Sequence, residues 1–88
     1  MTWTILVAQT AQKQLGRIPG RDRVTAAVLA MAAAPFKGDL VKLEGHADRY
    51  RRQVGSYHIF FRVDWAGGAV GISAIVRRTS NALPPALG

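Results

Sequence analysis

One two-residue turn, Gly55-Ser56, constrains this chain more than any other feature, because it sits between two stretches of alternating side chains. Glycine at the first turn position tolerates positive φ, as a type II′ hairpin turn requires. The arm that follows, Tyr57-His58-Ile59-Phe60-Phe61-Arg62-Val63, is β-branched and aromatic, which suits a pleated, half-buried surface. A loop this short leaves one register. Val54 opposes Tyr57, Gln53 opposes His58, Arg52 opposes Ile59, Arg51 opposes Phe60, Tyr50 opposes Phe61 and Arg49 opposes Arg62.

Side chains alternate between the two faces of a strand. One face of the hairpin therefore carries Tyr50, Arg52, Val54, Tyr57, Ile59, Phe61 and Val63, and reads as a core face. Arg52 is its one charge, and its stem can snorkel at an edge. The other face carries Arg49, Arg51, Gln53, His58, Phe60 and Arg62, and is basic. Arg49 opposite Arg62 is a like-charge pair that costs roughly 0.2–1 kcal/mol. An anion between them would relieve that cost; two guanidiniums pointing into water is the plainer reading.

Gly67-Gly68 reads as a second two-residue turn, which makes Ala69 to Arg77 a third antiparallel strand. In that register Val63 opposes Ile72, Phe61 opposes Ala74, Ile59 opposes Val76 and His58 opposes Arg77. The basic face then has three rows: Gln53, His58 and Arg77; Arg51, Phe60 and Ile75; Arg49, Arg62 and Ser73. The expected core of the sheet is Ile59, Phe61, Val63, Ile72 and Ala74.

Upstream, Trp3 to Val7 is a first strand. Thr10 can cap a helix whose apolar stripe is Ala11, Leu15 and Ile18, and which Pro19-Gly20 ends. A second helix runs from about 21 to 34 with the stripe Val24, Val28 and Met31, and Pro35 stops it. Their short connection implies an αα-hairpin. Residues 35–48 read as a loop anchored by Leu40, Val41 and Leu43, with His46 on its surface. The tail, residues 79–88, contains Pro84-Pro85 and cannot continue a central strand. The expected fold is α+β: an N-terminal strand, an αα-hairpin and an antiparallel three-stranded meander, with the helices on one face of the sheet.

The 88 residues fit a single domain. The N-terminal apolar run is too short for a signal peptide or a membrane span, and the absence of cysteine suits a reducing cytosol, so the expected location is cytoplasmic. Twelve Lys and Arg against five Asp and Glu give a net charge of +7, and residues 49–88 hold six Arg with Asp64 as their one acid. This balance suits nucleic acid or an acidic protein, without choosing between them. No grouping of His, Asp and Glu indicates a metal, and no cofactor motif is present.

The order of elements and two motifs resemble the RelE/ParE superfamily, the toxins of bacterial type II toxin–antitoxin pairs. The motifs are Tyr50-Arg51-Arg52-Gln53-Val54-Gly55-Ser56-Tyr57 and Ile75-Val76-Arg77-Arg78-Thr79-Ser80-Asn81, preceded by Lys42-Leu43-Glu44-Gly45. The resemblance implies a toxin neutralised by a cognate antitoxin, which alone would touch operator DNA. RelE-like members cut mRNA on the ribosome without metal; ParE-like members poison DNA gyrase without nuclease chemistry. A degenerate toxin that only binds antitoxin is a third reading. Carried over by position, the resemblance makes Arg51, His58 and Arg77 the catalytic candidates. Lys42, Arg49, Gln53, Phe60, Arg62 and Arg78 become candidates for RNA contact. Gln53 falls where some members have a second basic residue, so that charge is missing, and two departures stand at the chemistry: His58 in a place often held by Arg, and Leu83 near a usual Tyr.

Those residue types fit the chemistry of RNA cleavage. The ribose 2′-hydroxyl must lose a proton, the phosphorane charge must be stabilised and the leaving 5′-oxygen must gain a proton. His moves protons near neutral pH, and Arg grips phosphate with two bonds. Phe60 could stack on a base or form part of an antitoxin patch.

Overall fold

The computed structural model describes residues 2–78. Leu83 and the rest of the tail lie outside the described residues, as does the end of the second motif. The chain forms β1 (Thr4–Val7), α1 (Gln9–Gly16), α2 (Asp22–Ala30), β2 (Leu40–Lys42), β3 (Arg49–Val54), β4 (Tyr57–Asp64) and β5 (Ala69–Arg77). The strands make one five-stranded sheet in the order β1-β5-β4-β3-β2. Strands β2 to β5 are antiparallel to their neighbours, and β1 pairs with β5 in parallel, so the sheet is mixed.

The β3–β4 register is the one that Gly55-Ser56 imposes, from Val54 opposite Tyr57 to Arg49 opposite Arg62. Gly55 sits at φ 57°, where a side chain would be strained. The β4–β5 register differs from expectation. Asp64 pairs with Ala69, so Trp65 to Gly68 form a four-residue turn, and Asp64 Oδ1 accepts a hydrogen bond from the Gly67 N–H at 3.0 Å. The carboxylate closes the turn earlier than the glycine pair alone suggests. The pairing then shifts between Phe61–Ile72 and Phe60–Ala74, which leaves Ser73 as an extra residue in β5. Its hydroxyl donates to the Phe60 carbonyl at 3.1 Å, and the Ile75 N–H donates to Gln14 Oε1 on α1 at 2.8 Å.

The bulge exchanges two core residues. Ile75, 2 % exposed, faces the helices, whereas Ala74 pairs with Phe60 on the other face. The remaining expected core residues, Ile59, Phe61, Val63 and Ile72, are buried with Val70 against Ala11, Ile18, Val24, Val28 and Met31. Leu15 packs on this cluster from α1. Tyr50 stacks on Phe61 at 5.6 Å, and Phe36, Trp65 and Trp3 extend that aromatic contact towards the end of the sheet.

Local differences have local causes. Helix α1 begins at Gln9, before Thr10, and has no side-chain cap; Gln12 Nε2 instead donates to the Val7 carbonyl at 2.9 Å. Helix α2 ends at Ala30, but i→i+3 hydrogen bonds continue its path through Ala33, in the tighter winding common at helix ends. Within the expected loop, Leu40 to Lys42 form β2 on the edge of β3. Arg52 extends across the helix-side face to this region: a Cβ on Gly38 would stand 3.0 Å from its Nη2, at a glycine with φ 100°. No helix among the described residues is long and apolar enough to cross a membrane.

Candidate active site

The sheet face away from the helices is built from every second residue of β3 and β4. Arg49, Arg51 and Gln53 on β3 stand beside Arg62, Phe60 and His58 on β4. The third column comes from β5, and the bulge decides it. The rows are Gln53, His58 and Val76; Arg51, Phe60 and Ala74; Arg49, Arg62 and Gly71. Arg77 pairs with Tyr57, so the expected row of Gln53, His58 and Arg77 does not form. Lys42 pairs with Tyr50, so it too belongs to the helix-side face.

Two more residues complete this face: Asp39, not among the candidates from the sequence, and Arg78, which is one of them. The β2–β3 register, extended by one residue, puts Asp39 beside Gln53, and the Gln53 N–H donates to the Asp39 carbonyl at 3.0 Å. Asp39 therefore joins the row of His58. Its signal in the sequence is faint, because only the pairing of β2 reveals it. The N–H of Arg78 donates to the Ser56 carbonyl, which carries the ladder one step past Arg77. Alternation then turns Arg78 towards the face of His58.

His58 is 8 % exposed, and its Nδ1 is buried without a hydrogen-bond partner. Its ring meets Phe60 edge-on at 6.2 Å. Burial lowers the imidazole pKa below its ordinary value, Arg51 and Arg78 lower it further, and Asp39 opposes them. Each cause acts as expected: a low dielectric and nearby cations disfavour a second positive charge, and a carboxylate favours it. The imidazole is therefore neutral at pH 7, with one ring nitrogen able to accept a proton.

Over the rows of Phe60 and Arg62 the face opens into a groove of about 510 Å³, lined by Leu6, Leu43, Arg49, Phe60, Arg62 and Ala74 among others; His58 itself does not line it. Phe60 is 6 % exposed and forms part of its wall, so little of the ring stands out for stacking. Arg62 is exposed and Arg49 half-buried, which gives the groove a basic rim. Gln53 is half-buried, and its Nε2 donates to the Gly55 carbonyl at 3.4 Å. His46 is exposed on the loop after β2. The arrangement offers one neutral proton acceptor, two cations beside it and an apolar groove with an arginine rim. That set can bind a phosphodiester and remove a proton from a neighbouring hydroxyl.

No protein-family model and no curated protein matches the chain. Solved structures do. The archaeal RelE–RelB complex from Pyrococcus horikoshii superposes with a TM-score of 0.78 at 26% identity, covering 93% of this chain and 100% of that one. The RelB–RelE antitoxin–toxin complex from Methanococcus jannaschii gives 0.69 at 27% identity, covering 82% and 88%. The isolated RelE toxin of E. coli gives 0.76 at 14% identity, covering 90% and 87%, a likeness of fold alone.

Proposed function

We propose that this chain, which is a RelE/ParE-superfamily protein, is the toxin of a type II toxin–antitoxin pair and cuts mRNA on the ribosome in the cytoplasm. The observation that carries the reading is His58: buried, with an orphaned Nδ1, one row by register from Arg51 and from Arg78, on the sheet face that also carries the arginine-rimmed groove. Such a group suits proton transfer, which gyrase binding alone does not require.

In the reaction His58 takes the proton of a ribose 2′-hydroxyl. The 2′-oxygen bonds to phosphorus, the bond from phosphorus to the 5′-oxygen breaks, and that oxygen leaves with a proton from solvent. Arg51 and a cation at the end of β5 stabilise the phosphorane charge, which is largest in the transition state. Arg49 and Arg62 hold the adjoining backbone. The products are a 2′,3′-cyclic phosphate and a 5′-hydroxyl.

The inhibitory partner is an antitoxin segment, acidic to match the charge of +7 and carrying apolar anchors. Its association slows as salt is added; a rate indifferent to salt would remove the electrostatic part. Parallel assays of mRNA cleavage on programmed ribosomes and of DNA supercoiling by gyrase test the toxin reading. Cut mRNA with intact supercoiling is expected. Blocked supercoiling with intact mRNA would overturn it in favour of gyrase.

A further inference from the structure

We infer that Arg78, not Arg77, is the cation that grips phosphate beside His58, and that the bulge at Ser73 puts it there. The kinetic consequence rests on the cleavage reading; the placement of the cation does not.

The register carries the inference. Leaving the turn, β5 pairs Val70 with Val63 and Ile72 with Phe61, so both face the helices. Had that pairing continued, residue 77 would stand on the same face as His58. Ser73 intervenes. Beyond it Ala74 pairs with Phe60, Ile75 with Ile59, Val76 with His58 and Arg77 with Tyr57. The burial of Ile75 at 2 % is independent support for the exchange. Arg78 then lies across from Ser56, held by its own N–H, one position beyond Val76 on the His58 face. The bulge is anchored twice, by Ser73 Oγ to Phe60 and by Gln14 to Ile75, so the exchange belongs to the folded state.

Around His58 the charged groups are Arg51 from β3, Arg78 from the end of β5 and Asp39 from the turn into β2. Arg77 is not among them. By register Arg51 and Arg78 each stand one row from His58 on the same face, on opposite sides of it, where two guanidinium forks can grip one anion.

The full-length chain tests this through the titration of the His58 ring, followed by NMR in Arg77→Gln and Arg78→Gln, with inorganic phosphate as the probe. Both residues are exposed, so the fold should survive either change. Arg78→Gln should raise the His58 midpoint towards its ordinary value and abolish the response to phosphate; Arg77→Gln should do neither. Arg78→Lys should restore the low midpoint, because it keeps the charge. On programmed ribosomes Arg78→Gln should lose about 10²-fold in cleavage, roughly tenfold more than Arg77→Gln. A His58 midpoint or phosphate response that follows Arg77 as closely as Arg78 would overturn the inference. Should the wild-type chain show the NMR pattern but no cleavage, the proposed function fails and the assignment of Arg78 stands.

Discussion

The two faces of the sheet answer to different physics. The helix side has a closed apolar centre, with Lys42, Arg52 and Arg77 towards its edges: Ile59, Phe61, Val63, Val70, Ile72 and Ile75 are all buried against the helices. The open side buries a histidine with an unpaired nitrogen, lines a groove with Phe60 and places Arg49 directly against Arg62. Burial without pairing normally costs stability. A like-charge pair adds to that cost. The helix side thus holds the fold together, and the open side is maintained at a cost in stability that the helix side offsets.

Substitutions on each face sharpen the contrast. On the helix side Phe61→Ala should cost about 3–5 kcal/mol, from lost transfer energy and a cavity, as read by chemical denaturation. That is enough to unfold a domain of this size. At the seam between α1 and the bulge, Gln14→Ala leaves the Ile75 N–H without its partner and should cost about 1–3 kcal/mol, again by denaturation. On the open face Arg62→Gln removes the repulsion with Arg49 and should stabilise the chain by roughly 0.2–1 kcal/mol. A loss of stability there would break the comparison.

The open face also sets an acid limit. The His58 pKa is lowered in the folded chain from an ordinary 6.5. Between those two values the unfolded chain binds a proton that the folded chain does not, so stability falls as pH falls below about 6.5 and stops falling below the folded pKa. Above 6.5 this contribution vanishes. Thermal melts from pH 7 to pH 4 should therefore show a shallower acid loss in His58→Gln than in the wild-type chain.

The same division explains what could be read in the sequence. Gly55-Ser56 determined a register because a two-residue turn permits only one, and the helix-side alternation followed from it. Leu40 to Lys42 look like loop in the sequence, since three residues cannot display a period of two. The parallel pairing of β1 with β5 joins segments far apart in the chain and has no local signal. The β4–β5 register turned on Asp64, which closes a longer turn, and on Ser73, whose bulge no composition announces. One extra residue was enough to move Arg77 off the face of His58 and to bring Arg78 onto it. His58 was legible as a residue on a polar face; its burial and its orphaned Nδ1 were not, because they depend on neighbours contributed by other strands.

The most direct test of the central claim is the pH dependence of mRNA cleavage on programmed ribosomes by the wild-type chain and by His58→Gln. The wild-type rate should rise with pH through a midpoint below 6.5 and then level off, because a base must be deprotonated to act and this one titrates low. In His58→Gln the rate should fall by about 10²–10⁴-fold and the midpoint should disappear. Full activity in His58→Gln, with the wild-type pH profile, would contradict the account and leave Arg51 and Arg78 as a binding surface.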